Sequence, residues 1–155
     1  MAAGKWKLYE QAKKHLADGT FDLDANTFKI SLHSSASNAN TLSTSSAFAD
    51  ITNELTTANG YTAGGIALTS VTWTNASGTM TFTSAAPVWT ASGGSIAARF
   101  AVIRASGTLN SIVDPILAVC LLDTTPADVT TTTGNTLTIT MNASGIFTMS
   151  GAAVD

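Results

Sequence analysis

The fold is decided by the ten residues Ser95-Ile-Ala-Ala-Arg-Phe-Ala-Val-Ile-Arg104. In an extended backbone, one face of this stretch carries the apolar side chains of Ile96, Ala98, Phe100 and Val102. A period of two is typical of a β-strand that packs one face on a core. The stretch therefore predicts a strand over residues 95–104, within a sheet that the neighbouring sequence must supply.

Other parts of the chain have the same short, strand-like pattern. Phe28–His33 alternates apolar and polar residues, which predicts a strand with one polar face. The turn sequence Asn75-Ala-Ser-Gly78 separates Ile66–Thr74 from Thr79–Thr83, so these segments predict a hairpin. Leu117–Leu122 is apolar without a break, as in a strand that is buried on both faces.

The last third of the chain predicts one more hairpin. A second Asn-Ala-Ser-Gly turn, Asn142–Gly145, links Asn135–Met141 to Ile146–Met149. Seven or eight short strands at near-regular spacing indicate a β-sandwich or barrel. We therefore predict a mainly β protein, sandwich or jelly-roll-like, with a helical segment in residues 1–20 and one β domain over 21–155. The polar, low-complexity residues 34–46 predict a long loop of the kind that often contacts partners.

The composition also favours sheet and argues for contact with other proteins. The chain has 26 Thr and 16 Ser, whereas only 11% of its residues are charged, against about 25% in an average domain. Thr is β-branched and suits a pleated, half-buried surface. The net charge of −3 offers no basic footprint for nucleic acid. A lightly charged surface suits a protein that is covered by partners or by copies of itself.

Most of the positive charge lies at the beginning of the chain. Four of the five lysines fall within the first 15 residues, and the spacing in Lys5–Ala17 predicts an amphipathic helix of about 12 residues. Asp18-Gly19 marks its end. The helix either packs on the sheet or reaches a neighbouring subunit. No apolar core of a secretory signal and no run of about 18 apolar residues is present, so we expect no export and no membrane span.

Aromatic residues complete the set of candidate interface residues. Core packing is the default interpretation of Trp73 and Trp89, whereas an exposed Trp at either position would mark an assembly hot spot. Together with the N-terminal segment, the candidates are Lys5, Trp6, Lys7, Tyr9, Lys13, Lys14, Trp73 and Trp89.

The sequence offers no recognisable catalytic, cofactor or metal motif. His33 lies beside a Ser-rich loop, but no G-x-S-x-G elbow occurs, and a Ser–His–Asp arrangement would have to assemble in space. Asp22-Leu-Asp-Ala-Asn26 copies the opening of an EF-hand loop, yet Thr27 replaces the required glycine. Turn-capping carboxylates are therefore favoured over a weak cation site. Cys120, the only cysteine, lies in an apolar run, which favours an inert thiol over a reactive one.

Several of these segments, in this order, carry a resemblance to a known class of protein. They are Trp6-Lys-Leu-Tyr-Glu-Gln-Ala-Lys-Lys14, Leu16-Ala-Asp-Gly-Thr20, Phe28-Lys-Ile-Ser-Leu32, Asp50-Ile-Thr-Asn-Glu-Leu55, Gly60-Tyr-Thr-Ala-Gly-Gly65, Val71-Thr-Trp-Thr74, Val88-Trp89 and Ala97-Ala-Arg-Phe-Ala-Val-Ile103. The series resembles small virion structural proteins of tailed bacteriophages, over roughly residues 5–122. The Gly-Tyr-Thr-Ala-Gly-Gly element is its most specific part.

The resemblance implies a head decoration, or cement, protein with no catalytic residues. Such proteins are commonly jelly-roll-like and often trimeric, and they sit on the outer head surface where capsomers meet. The implied partners are the major capsid protein and two further copies of the chain, in a virion assembled in a bacterial cytoplasm. The alternative is a tail or fibre protein that binds a receptor or glycan, which an exposed Trp or Tyr beside Asn and Asp in a groove would favour. A hydrolase would require His33 to contact both a serine and an aspartate.

Overall fold

A computed structural model describes residues 4–43, 45–125 and 127–151. Among the residues that the structure describes, 40% are strand and 8% are helix, which confirms a mainly β fold. The helical elements are α1 (Glu10–Ala17) and a single 3-10 turn over Phe48–Asp50. The strands are β1 (Lys7–Leu8), β2 (Phe28–His33), β3 (Ile66–Ala67), β4 (Thr72–Ala76), β5 (Thr79–Thr83), β6 (Val88–Thr90), β7 (Ile96–Ala98), β8 (Phe100–Ala105), β9 (Thr108–Leu109), β10 (Ile112–Val113), β11 (Ile116–Leu121), β12 (Val129–Thr131), β13 (Thr136–Thr138) and β14 (Phe147–Ser150).

The largest sheet has five antiparallel strands in the order β1-β11-β8-β2-β3. The described residues also form four smaller antiparallel sheets: β14-β5-β4, β13-β6, β12-β7 and β10-β9. The Phe28 and Phe82 rings, 5.1 Å apart, join β2 of the large sheet to β5 of the three-stranded sheet. Both rings are fully buried, so the main core lies between these two sheets. Within the described ranges, no helix is long and apolar enough to span a membrane.

One buried strand and one of the two predicted hairpins are confirmed. The hairpin predicted across Asn142–Gly145 was wrong, because β13 pairs with β6 and β14 pairs with β5. The β4–β5 hairpin turns at Ser77 and Gly78, both with positive φ, as expected for Asn-Ala-Ser-Gly. Strand β11 is buried on both faces, as its unbroken apolar run predicted. The predicted strand over 66–74 was too long, because the backbone leaves the extended region at Ser70 (φ 49°) and divides it into β3 and β4.

The stretch 95–104 contains two strands, separated by a bend at Arg99, that belong to two sheets. Strand β7 pairs with β12, whereas β8 pairs with β2 and β11. The change occurs at Arg99, whose N–H donates to the carbonyl of His33 while its own carbonyl accepts from Leu122. Its guanidinium donates to the carbonyls of Thr125 (2.6 Å) and Ala127. The single strand predicted there was wrong because periodicity does not reveal a change of partner.

The N-terminal helix is shorter than predicted. Residues 5–9 are extended rather than helical, and helix α1 begins only at Glu10. The open edge of β11 competes for this backbone: the N–H of Gly4 donates to Leu121 (2.8 Å), and the N–H of Tyr9 donates to Leu117 (3.2 Å). Part of the predicted helical segment is therefore an edge strand of the large sheet.

Strand β2 has the predicted bounds but no solvated face. Ser31 and His33, expected on a polar face, are fully buried. Residues 48–54 cover this side, with the Phe48 ring 5.9 Å from the His33 ring. The alternation of apolar and polar residues predicted correctly which side chains of β2 share a face. It could not predict that other parts of the chain cover both faces.

Candidate binding surfaces

The N-terminal segment presents its lysines from a fixed base. Helix α1 buries Ala12 and His15, and Tyr9 just ahead of it is fully buried. The Tyr9 hydroxyl donates to the carbonyl of Ala39 (2.7 Å), which ties the segment to the loop over 34–46. Desolvation by burial raises the pKa of this phenol, so it remains a neutral donor.

All four N-terminal lysines point to solvent. Lys5, Lys7, Lys13 and Lys14 are exposed. Together with Glu10, they give residues 5–14 a net charge of +3. Because the whole chain has a net charge of −3, the remaining residues have a net charge of −6. The surface therefore has one positive region on an otherwise acidic chain, as the sequence indicated.

A groove of about 660 Å³ runs beside α1, and we call it the helix groove. Its apolar lining comes from three parts of the chain: the N-terminal segment (Leu8 and Leu16), the connection to β2 (Phe21 and Leu23) and the three-stranded sheet (Trp73 and Met149). Met149 is 50% exposed, which is unusual for a large apolar side chain. Lys13 of α1 also lines the groove, as do Asp22 and Asp24. This groove combines apolar area with a charged border, as protein interfaces do.

A second, larger cleft of about 980 Å³ lies between residues 4–6 and the C-terminal strands, and we call it the edge cleft. Trp6, which is half-buried, and Lys5 form one wall. Residues of β12, β13 and β14 form the others. Buried apolar side chains lie at its base: Leu122, Val129, Leu137, Ile139 and Ile146.

The structure sorts the eight candidate interface residues. Six of them are at least partly accessible to solvent: the four lysines are exposed, and Trp6 and Trp73 are half-buried. The Trp73 ring lies 5.7 Å from the Phe147 ring. Tyr9 is fully buried and Trp89 is 3% exposed, so both are corrected from interface candidates to core residues. Trp89 packs against Tyr61 at 6.5 Å, and its indole N–H finds no acceptor among the described residues.

The surroundings of His33 do not match the requirement for a hydrolase. The His33 Nε2 atom lies 3.0 Å from the Ser31 hydroxyl, but Nδ1 lies 3.2 Å from the backbone carbonyl of Thr52 rather than an aspartate. Both side chains are fully buried. Desolvation by burial lowers the pKa of His33, so the ring is neutral at pH 7. This pair therefore acts as a buried polar contact of the sheet.

A buried cation, Arg104, was not singled out from the sequence. It is 4% exposed, and its guanidinium carbon lies 3.7 Å above the centre of the Phe48 ring. Its Nη2 donates to the carbonyl of Gly64 (2.9 Å), and Nε lies 3.6 Å from an Asp114 carboxylate oxygen. A strand-end arginine usually lies in solvent, so only the fold of residues 48–64 could have revealed this site.

The remaining candidate residues have structural roles. The Asp22 carboxylate accepts the N–H groups of Asp24 (3.1 Å) and Ala25 (3.0 Å), which confirms the turn-capping interpretation. In the described ranges, no three His, Cys, Asp or Glu side chains come together as a metal site would require. Cys120 is buried, and desolvation raises its thiol pKa to about 11, which favours the neutral thiol over the reactive thiolate.

No protein-family model, no curated protein sequence and no solved structure matches this chain.

Proposed function

We propose that this chain is a structural protein of a tailed-bacteriophage virion that binds the outer surface of the head and bridges capsid subunits. The resemblance in sequence supports a virion protein. The observation that carries the proposal is the helix groove, where exposed Met149 and half-buried Leu8, Leu16 and Trp73 lie beside Lys13. A partly open apolar groove with a charged border is suited to another protein surface.

The proposed mechanism is stabilisation linked to binding. A protein that binds only the assembled shell lowers the free energy of that shell by mass action. Lys13 at the helix groove would face a carboxylate of the major capsid protein, and the groove would receive an apolar side chain beside this contact. If the chain forms a homotrimer, one trimer would contact several capsid subunits at once, and this avidity would strengthen binding.

Binding to heads that lack this protein is the direct test. Purified chain is mixed with such heads, sedimented and quantified as copies per head. The proposal expects saturation at several hundred copies and heads that resist heat or low salt better. Saturation at a handful of copies, or binding to host cells without binding to heads, would contradict it.

A charge reversal tests the surface that we propose. Lys13→Glu, on the wall of the helix groove, should weaken head binding roughly five- to tenfold at low salt, with a smaller effect at high salt. The control is Thr90→Glu combined with Ser92→Glu, which changes the net charge equally at exposed positions outside both cavities. Equal weakening by both proteins would indicate a non-specific effect of charge.

One observation favours the second candidate, a tail or fibre protein that binds a glycan. Half-buried Trp6 and exposed Asn142 line the edge cleft together with several threonines. Such a surface offers a ring for stacking and hydroxyl or amide groups for hydrogen bonds. Binding to a glycan array that is abolished by Trp6→Ala would support this candidate over the decoration protein.

A further inference from the structure

The walls of the edge cleft consist largely of strands that lie at the border of their sheets. Strand β12 pairs only with β7, β13 pairs only with β6, and β14 pairs only with β5, among the residues that the structure describes. A strand with a neighbour on one side keeps a row of unpaired N–H and C=O groups on the other. Residues of all three strands line the same cleft.

The ladder of β13 shows which of its groups are free. The N–H of Ile139 donates to Pro87 (3.1 Å), and the carbonyl of Asn135 accepts from Ala91 (2.9 Å), so residues 135, 137 and 139 bond to the β6 side. Antiparallel ladder bonds alternate along a strand. The backbone groups of Thr136 and Thr138 therefore point to the opposite edge, and both residues line the cleft.

The volume of the cleft matches a short strand. Strands in a sheet lie about 4.8 Å apart, sheets pack about 10 Å apart, and each residue rises about 3.3 Å, so one residue fills about 160 Å³. The cleft of about 980 Å³ would then hold about six residues. Six residues is also an ordinary strand length.

The lining indicates the chemistry of that strand. Buried Leu137, Ile139 and Ile146 at the base would face apolar side chains at alternate positions of the incoming strand. Lys5 is the one charged residue among the described lining residues, so a carboxylate at that end of the strand would be paired. A glycan could use the hydroxyl groups, but it would leave the backbone edges and the apolar base largely unmatched.

We propose that the edge cleft binds an extended segment of a partner polypeptide, about six residues long, as an added β-strand. The segment has alternating apolar side chains and an acidic residue near Lys5. Backbone hydrogen bonds supply affinity in this mode of recognition, and side-chain pockets supply specificity. The proposal concerns a different cavity from the helix groove, so each of the two can fail without the other.

The first test uses a defined peptide with the full-length protein. The probe is a hexapeptide of alternating Val and Thr with one terminal Asp, compared with the same peptide N-methylated at alternate amides. We expect the unmodified peptide to bind, to protect the amides of Thr136 and Thr138 from hydrogen exchange, and to bind at least about tenfold more tightly than the N-methylated one. Equal binding of both peptides, or protection elsewhere in the chain, would overturn the proposal.

A matched pair of variants separates backbone from side-chain recognition. Thr138→Pro removes the outward N–H at an edge position where proline is tolerated, whereas Thr138→Val keeps the N–H and removes the hydroxyl group. Strand addition predicts that only the proline variant loses peptide binding. Loss in the valine variant, or binding to a glycan array instead of the peptide, would show recognition through hydroxyl groups and overturn the proposal. Thermal melting checks that both variants fold, and the N-methylated peptide tests the same point if the proline variant does not.

Discussion

His33 is a titratable side chain in a fully buried position, next to β8 in the largest sheet. Burial lowers its pKa from 6.5; the Arg104 charge also lowers it, while the Thr52 carbonyl and the Glu54 charge raise it. The unfolded chain therefore takes up a proton at a higher pH than the folded chain. Stability should be fully present above pH 6.5 and decline as the pH falls from 6.5 towards the lowered pKa.

Urea unfolding between pH 8 and pH 5 measures this loss. His33→Gln, which keeps a polar side chain beside Ser31, should flatten the profile in that range even if it lowers stability at pH 8. The other histidine, His15, provides the control, because His15→Gln should leave the His33 part of the profile in place. Identical slopes for the wild type and His33→Gln would show that His33 does not control the decline.

Single residues were the hardest features to predict from sequence. The alternation in Phe28–His33 correctly assigned side chains to faces, but the burial of His33 depends on residues 48–54, which lie far along the chain. The same reason explains Arg104, which is held by Gly64 and Phe48. In contrast, the exposure of the four lysines was predictable, because desolvating an unpaired ammonium group is costly.

At the scale of elements, the Gly-Tyr-Thr-Ala-Gly-Gly segment packs closely against strand β2. The Tyr61 hydroxyl donates to a Glu54 carboxylate oxygen (2.6 Å) and accepts the N–H of Leu32 (3.1 Å), which fastens the segment to β2. Gly65 follows at φ +68°, and a Cβ atom there would lie 2.0 Å from the carbonyl oxygen of Ile30. The motif that contributed most to the resemblance is therefore explained by the backbone contact that it permits.

Two glycines with similar φ separate backbone strain from steric overlap. Gly78→Ala, at φ +81° with no atom within 4 Å of the new Cβ, should cost about 1 kcal/mol. Gly65→Ala adds the clash with Ile30 and should cost about 3 kcal/mol or more. Denaturant unfolding of both variants checks the difference, and equal losses would mean that the β2 backbone yields to the added methyl group.

The contact between Tyr9 and the loop over 34–46 gives a second prediction at this scale. Tyr9→Phe keeps the ring in the core but leaves the buried carbonyl of Ala39 without its donor. We expect a loss of about 1–2 kcal/mol in the free energy of unfolding, and faster amide hydrogen exchange around Ala39. Unchanged exchange in the loop would show that other contacts, such as Ser37 to Thr52, hold it alone.

Element types were more predictable than element partners. Asn75-Ala-Ser-Gly78 contains its own turn chemistry, so the β4–β5 hairpin could be recognised locally. Residues 5–9 have a helical spacing, yet the edge of β11 provides backbone bonds that the local pattern does not show. Competition of this kind is decided by tertiary structure, and local propensity is only a weak prior.

At the scale of the whole molecule, the low charge and the exposed apolar residues favour self-association. Val88, Val113 and Met149 are 47%, 63% and 50% exposed. We expect the purified chain to form a trimer, with a mass about three times 15.8 kDa. Light scattering after size exclusion measures this mass. A monomer at all concentrations would contradict the trimer but would leave head binding open to its own test.

The mainly β class could be predicted because it depends on composition, since Thr replaces Lys and Glu throughout the chain. The two cavities could not be predicted. Each is lined by residues from both ends of the chain, as with Leu8 and Met149 in the helix groove. Only the folded arrangement brings these residues together.

Gly4 and Thr148 line the same cleft although they are far apart in the chain. A bulky label attached at either of these two positions would therefore obstruct the edge cleft. In contrast, the turn at Ser77 and Gly78 is exposed and lies outside the residues that line the cleft. An insertion or a label at this turn should leave the cleft accessible.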